Sequence, residues 1–211
     1  MPAELIHLVR HGEVHNPNGV LYGRLPEYHL SGLGHAMARV AAERLHTAGA
    51  PVHRVISSPL IRTIESAAPW AELFNLSASV DDRLIEPSNM FEGHQMGRRL
   101  REPASWPLLL NPLRPSWGEP YAHVARRMLA AISDAWSSVE SGDVVLVTHQ
   151  LPIWMVHRTL LGKSLPHDPR QRRCALSSIT TLSRAADRFV EVNYQEPAAG
   201  LAAGAIDRGA A

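Results

Sequence analysis

Arg10-His11-Gly12-Glu13 closes an apolar run, Leu5-Ile6-His7-Leu8-Val9, with a cation, an imidazole and a glycine. A buried strand that stops on such residues delivers a guanidinium and a titratable ring to the rim of its sheet. Parallel sheets take their ligands there, beyond the carboxyl ends of the strands. A neutral imidazole is a nucleophile, and a neighbouring guanidinium grips an anion as a two-pronged fork. The chemistry that suits this pair is attack of His11 on a phosphoryl group. A second apolar run, Val144-Val145-Leu146-Val147, ends on Thr148-His149, and a third, Val52 to Ser57, leads into Ser58. Arg62 lies one helical turn beyond Ser58. If the three runs are parallel strands, His11, Ser57-Ser58, Arg62 and His149 meet at one rim.

The elements that must position these groups follow from the apolar pattern. Strands are expected over 4–9, 52–57, 78–80 and 144–147. Two more, over 175–182 and 188–193, are expected to pair antiparallel at an edge. Ser31 is a candidate N-cap for a helix to about Gly49, with Met37, Val40, Ala41 and Leu45 on one face. Ser58 is read as capping a second helix, with Pro59 at its first position, running to about Phe74. Val124, Met128, Ile132, Trp136 and Val139 mark a third over 120–139, and a fourth follows His149 with Pro152 in its first turn. Residues 12–30 form a loop. From Pro87 to Pro120 six prolines interrupt regular structure, leaving room for a short helix near 93–101. Alternating strands and helices predict an α/β protein: a three-layer α/β/α sandwich, a mostly parallel sheet with helices on both faces and an irregular lid-like insertion. A single domain is expected over 1–196, with the insertion at 87–118 and a disordered Ala/Gly-rich tail over 197–211.

Composition narrows the function. The chain of 211 residues is 45% hydrophobic and 19% charged, as an ordinary globular domain is. A net charge of +1 argues against a dedicated nucleic-acid binder. The apolar runs are far shorter than a membrane span. The single cysteine, Cys174, cannot make an internal disulfide, and the N-terminus lacks the pattern of a signal peptide, so a cytoplasmic location is expected. His7 and His15 flank the motif, but on a strand His7 and His11 lie too far apart to share an ion and no carboxylate cluster joins them, so no metal is expected; no other cofactor is expected either.

Three blocks, taken in order, resemble the histidine phosphatase superfamily, the phosphoglycerate-mutase-like proteins. They are Leu8-Val9-Arg10-His11-Gly12-Glu13, then Ser57-Ser58-Pro59-Leu60-Ile61-Arg62-Thr63, then Val147-Thr148-His149. Weaker blocks lie between: Tyr22-Gly23-Arg24 with Leu30-Ser31, Leu84-Ile85-Glu86 with Phe91-Glu92-Gly93, and Gly118-Glu119. The resemblance spans roughly residues 4–182. It implies that His11 becomes phosphohistidine, that Arg10, Arg62 and His149 surround the transferring phosphoryl group, and that Glu86 protonates the leaving oxygen and then activates water. A protonated His149 would complete that cationic ring. The acid could instead be Glu92, because the segment after Glu86 is about one residue short of the family spacing. Val14 replaces the family's threonine, and Asn16 is favoured over Asn18 to reach the phosphoryl group. Gln150 stands in place of the usual glycine, where it narrows the pocket or adds a donor. Arg24 and Tyr22 either border the phosphate or pin their loop.

The implied activity is metal-independent hydrolysis of a small phosphorylated metabolite. The rivals are mutase-type phosphoryl transfer and a non-catalytic phosphate-binding module on the same fold. His94, Arg98, Arg99 and Arg101 would meet a second anionic group of the substrate, or form an exposed basic helix face. Oligomeric state is left open, with a homodimer as one option.

Overall fold

Six strands form one mixed sheet in a computed structural model that describes residues 2–95 and 118–207. They are β1 (Ile6–Arg10), β2 (Val52–Ser57), β3 (Ala78–Val80), β4 (Asp143–Thr148), β5 (Ile179–Ala185) and β6 (Arg188–Gln195), ordered β3-β2-β4-β1-β5-β6. The pairs β2–β3, β2–β4 and β1–β4 are parallel, and β1–β5 and β5–β6 are antiparallel. The helices are α1 (Gly32–Thr47), α2 (Ile61–Leu73), α3 (Tyr121–Trp136) and α4 (Gln150–Leu160). The expected α/β architecture is observed.

Every residue of β1 and β4 is buried, as a parallel strand covered on both faces must be. Side chains alternate along a strand. Ile6, Leu8, Val144 and Leu146 therefore share one face with Val124, Met128, Ile132 and Met155 of α3 and α4. Val9, Val145 and Val147 share the other with Ala41 and Leu45 of α1 and Ala67 and Trp70 of α2. His7 is the polar exception within β1. Its Nδ1 lies 3.0 Å from Thr181 Oγ1 and its Nε2 3.1 Å from Asp143 Oδ2, so the ring is satisfied as a core cross-tie. Among the described residues, no group of three or more His, Cys, Asp or Glu side chains is placed to hold a metal ion.

Three local expectations need correction. Ser58 does not cap α2; the helix starts after Leu60 without a side-chain cap, and Ser58 Oγ turns instead to His149 Nε2 at 2.8 Å. β5 begins at Ile179 rather than 175, because Cys174 (φ 111°) and Ser177 (φ 55°) both bend the chain in the left-handed region. The tail from Pro197, expected to be disordered, carries a 3-10 turn over Ala199–Gly204 and runs back to the motif loop. The expected short helix near 93–101 falls mostly outside the described residues.

Ser31 caps α1 as expected, its Oγ accepting from Gly34 N–H at 2.9 Å. That cap sits hard against the Arg-His-Gly loop. A Cβ on Gly12 would lie 2.3 Å from the Gly34 carbonyl oxygen, and one on Gly34 would lie 2.0 Å from the Glu13 carbonyl oxygen. Both obstacles are backbone, which cannot swing away. Gly34→Ala is therefore expected to destabilise the fold by at least about 2 kcal/mol, through overpacking of backbone on backbone. Urea unfolding against the wild type measures it; a change below about 0.5 kcal/mol would contradict the interlock.

Candidate active site

The parallel strands β1, β2 and β4 end level with one another. Arg10 is in register with Thr148, and Ser57 with Val147. The backbone extends that alignment past the strands: His11 N–H donates to Thr148 O at 3.1 Å, and Ser58 N–H to Val147 O at 2.9 Å. His11, Ser58 and His149 thus arrive at one rim. Glu86 reaches it from a 3-10 turn, Asp82–Leu84, whose Leu84 carbonyl accepts from the Thr148 hydroxyl at 2.6 Å. Arg10, His11, Arg62, Glu86 and His149 come together here, and none is more than 1% exposed. Burying that much ionisable chemistry is costly unless the groups pair with one another or with a ligand.

Each group's protonation follows from its neighbours. Burial lowers the His11 pKa well below the ordinary histidine value, and the charges of Arg62 and Arg10 lower it further. The ring is therefore neutral at neutral pH. Its Nδ1 lies 2.7 Å from the Gly12 carbonyl oxygen, which can only accept. The proton sits on Nδ1, and Nε2 keeps a free lone pair.

His149 was expected to be protonated, but its surroundings favour the neutral ring. Burial lowers its pKa well below the ordinary value, with the Arg62 charge next. Arg62 Nη2 approaches His149 Nδ1 at 3.3 Å, so Nδ1 accepts and Nε2–H donates to Ser58 Oγ. The two imidazole centroids stand 5.3 Å apart at 63°.

Burial pushes the Glu86 carboxyl up to about 7, against the opposing charges of Arg62, Arg172, Arg10 and Arg127. Its Oε2 lies 3.5 Å from His149 Nδ1, and its Oε1 has no partner among the described residues. Glu92, the alternative acid, accepts from Asn89 N–H at 3.1 Å and closes the turn there. Of the two, Glu86 is fully buried and Glu92 only partly.

The two buried guanidiniums hold donors in reserve. Arg62 donates through Nη2 to Gly23 O at 2.6 Å, and its Cζ lies 4.8 Å above the Tyr22 ring centroid. Its Nε and Nη1, and Arg10 Nε, have no partner among the described residues. Arg10 Nη1 donates to Cys174 O at 2.8 Å, and Nη1 and Nη2 reach the two carboxylate oxygens of Asp207 at 2.8 and 2.5 Å. Burial works against the charge on Arg10, but Asp207 more than offsets it and holds the pKa above its ordinary value.

Three other residues expected to contact the ligand, Arg24, Asn16 and Gln150, make the following hydrogen bonds to protein. Arg24 Nε donates to Glu86 O at 2.6 Å and Nη2 to Glu119 Oε2 at 3.0 Å. It pins the loop to the acid's backbone. Asn16 engages Val20 through both amide atoms, at 2.8 and 3.2 Å. Gln150 Nε2 sits 3.4 Å from Cys174 O, the carbonyl that Arg10 also uses. Arg98, Arg99 and Arg101 lie outside the described residues.

The sequence brings Ser58 to this rim as a helix cap, and its bond to His149 has no local signal. Two further participants are not assigned by the sequence. Glu119 gathers Arg24, Arg127 (2.9 Å) and His123 (2.7 Å) on one carboxylate; its Gly-Glu block was visible, its function as a hub was not. Asp207 carries no local signal, since its partner is 197 positions away.

A neutral imidazole with a free lone pair, flanked by buried guanidiniums and a carboxyl titrating near neutrality, on a mixed α/β sheet, is an arrangement suited to phosphoryl chemistry. The chain belongs to the histidine phosphatase superfamily, branch 1, whose model matches residues 6–197. It is 49% identical over 203 residues to an uncharacterized protein, Rv0525, of Mycobacterium tuberculosis, covering 94% of this chain and all of that one. It is 30% identical over 183 residues to a protein named Probable phosphoglycerate mutase GpmB of Yersinia enterocolitica, covering 82% and 83% of the two chains. Its fold is similar to that of mycobacterial glucosyl-3-phosphoglycerate phosphatase Rv2419c, with a TM-score of 0.71 at 24% identity over 90% of this chain and 97% of that one. It is also similar to that of a phosphoserine phosphatase from Entamoeba histolytica, with a TM-score of 0.75 at 19% identity over 92% and 97%. Membership in this family supports phosphatase or mutase activity.

Proposed function

We propose that the protein is a cytoplasmic phosphomonoesterase, independent of metal ions, that hydrolyses a small phosphorylated metabolite through phosphohistidine at His11. The observation that carries this reading is the His11 ring: neutral, its proton tied to the Gly12 carbonyl, its Nε2 lone pair free beside two guanidiniums with unused N–H groups. In the first step Nε2 attacks phosphorus, the P–O ester bond breaks, and the leaving alkoxide takes the Glu86 proton. In the second step the Glu86 carboxylate takes a proton from water, the oxygen attacks phosphorus, and the P–N bond breaks. Orthophosphate leaves and His11 returns to its starting form. A phosphomonoester carries nearly two negative charges at neutral pH, and Arg10 and Arg62 supply two fixed positive ones. His149 donates to the phosphoryl oxygens once the dianion draws a proton onto its ring.

The name carried by the Yersinia relative favours a second reading, return of the phosphoryl group to another hydroxyl of the same molecule. One experiment separates them. Phosphate esters, 2- and 3-phosphoglycerate among them, are incubated with the protein in excess EDTA, and released orthophosphate is counted against isomerised ester. Hydrolysis predicts orthophosphate release that EDTA leaves unchanged. Isomerisation far outrunning release would establish the mutase, and loss of release in EDTA would sink the metal-independent mechanism.

A further inference from the structure

The carboxylate on Arg10 comes from the far end of the chain. Two consecutive residues of the returning segment grip two residues of the Arg-His-Gly-Glu motif. Ile206 N–H donates to Glu13 Oε1 at 2.6 Å, and Asp207 receives both terminal nitrogens of Arg10. Glu13 uses its other oxygen for the hydroxyl of Ser31, the α1 cap. Among the described residues, these are the hydrogen bonds that tie 199–207 to the body of the protein. Little burial reinforces them. Ile206 is 59% exposed, and the segment borders an open pocket of about 340 Å³ lined by Met37, Ala175, Leu176, Ala202 and Asp207 among others.

Asp207 presents two oxygens to the guanidinium fork as a phosphoryl group would, and the terminal N–H groups of Arg10 that it uses cannot serve both. It carries one charge and is 42% exposed, so it regains water easily on release. A phosphoryl dianion brings more charge and a third oxygen, for which Arg62 has Nε and Nη1 donors without a partner among the described residues. We propose that residues 199–207 are a displaceable internal ligand of the phosphoryl site, with Asp207 holding Arg10 until a phosphoryl dianion takes its place. The inference rests on the reading of Arg10 as a phosphoryl-binding group. The segment then weakens every ligand that needs Arg10 by one common factor, the inverse of the fraction of molecules in which it has let go. It takes no part in the chemical step.

The test uses the full chain carrying Asp207→Asn, and a chain ending at Gly204. Orthophosphate affinity is read by calorimetry, and KM and kcat are read with p-nitrophenyl phosphate. Both variants are expected to bind orthophosphate about three- to tenfold more tightly, as for a segment closed in roughly two-thirds to nine-tenths of molecules. KM falls by the same factor and kcat is unchanged. Asp187→Asn, at a fully exposed aspartate elsewhere on the surface, should move none of these. Unchanged or weaker orthophosphate binding in both Asp207 variants overturns the proposal, and so does a fall in kcat, which would make Asp207 a participant. Tighter orthophosphate binding without turnover of any ester would leave the internal ligand standing and the proposed hydrolysis refuted.

Discussion

Replacing His11 by alanine is expected to lower kcat by at least about four orders of magnitude, the scale of loss when a covalent nucleophile is removed. The magnitude follows from what is left behind. Arg10, Arg62 and His149 still hold the dianion, but no group at the rim can take its phosphoryl. Water would have to attack the ester directly, past Glu86, whose proton serves the leaving group. Binding should survive, because the guanidiniums are anchored independently of the ring: Arg62 by Gly23 and Tyr22, Arg10 by Cys174. Orthophosphate affinity is therefore expected to stay within several-fold of wild type while turnover disappears. Label from a radioactive ester should be recovered on wild-type protein after alkaline quench and be missing from the variant. Residual turnover within a hundredfold of wild type would rule out phosphohistidine at this position.

Glu86→Gln should be nearly as costly, in a way that depends on the leaving group. A positioned general acid contributes about 10²- to 10⁴-fold. An alkyl phosphate, whose alkoxide needs a proton, should lose that full factor. p-Nitrophenyl phosphate, whose phenolate leaves as an anion, should lose much less in the first step. The pH profile gives a second readout. The carboxyl is pushed up to about 7, so the acid form is lost as pH rises through that value, and wild-type kcat/KM for an alkyl phosphate should fall there. Glutamine has no proton to lose, and its profile should lack that limb. Stability moves with it. The folded carboxyl holds its proton more tightly than the unfolded one, so wild-type stability falls as pH rises from about 4.5 to about 7. The variant escapes that loss. Its stability relative to wild type should therefore grow by roughly 3 kcal/mol between pH 4.5 and 8. A constant difference in urea unfolding across that range would show that Glu86 is not held protonated by its surroundings.

The fold was largely legible because its signals are local. Val144–Val147 and Leu5–Val9 read as buried parallel strands from their apolar runs, and Ser31 and Met37-Ala41-Leu45 gave α1 its start and its face. The meeting of His11, Arg62 and His149 needed only the inference that three strands run parallel. The rest depends on contacts that no local pattern encodes. Ser-Pro is a good helix start, yet His149, more than ninety residues away, claims the Ser58 hydroxyl. His149 looked like a cation beside an anion, but the depth of its burial and the nearness of Arg62 set its charge, and neither can be read from the sequence. The tail's Ala/Gly composition resembles disorder because its anchors are two polar contacts to the opposite end of the chain.

The backbone that carries Glu86 is moored at two points, by Arg24 on the Glu86 carbonyl and by Arg127, which donates to the Arg83 carbonyl and shares Glu119 with Arg24. Just downstream the chain is pinched: Asn89 bridges Gly118, and Glu119 N–H donates to Ser88 O at 3.2 Å. Whatever the residues between those two points do, their ends are clamped together and the proton donor is fastened upstream of the clamp. A stretch clamped at both ends can change in length or sequence without disturbing the residues upstream of the clamp. Relatives that differ there and share one chemistry are the outcome such an arrangement favours.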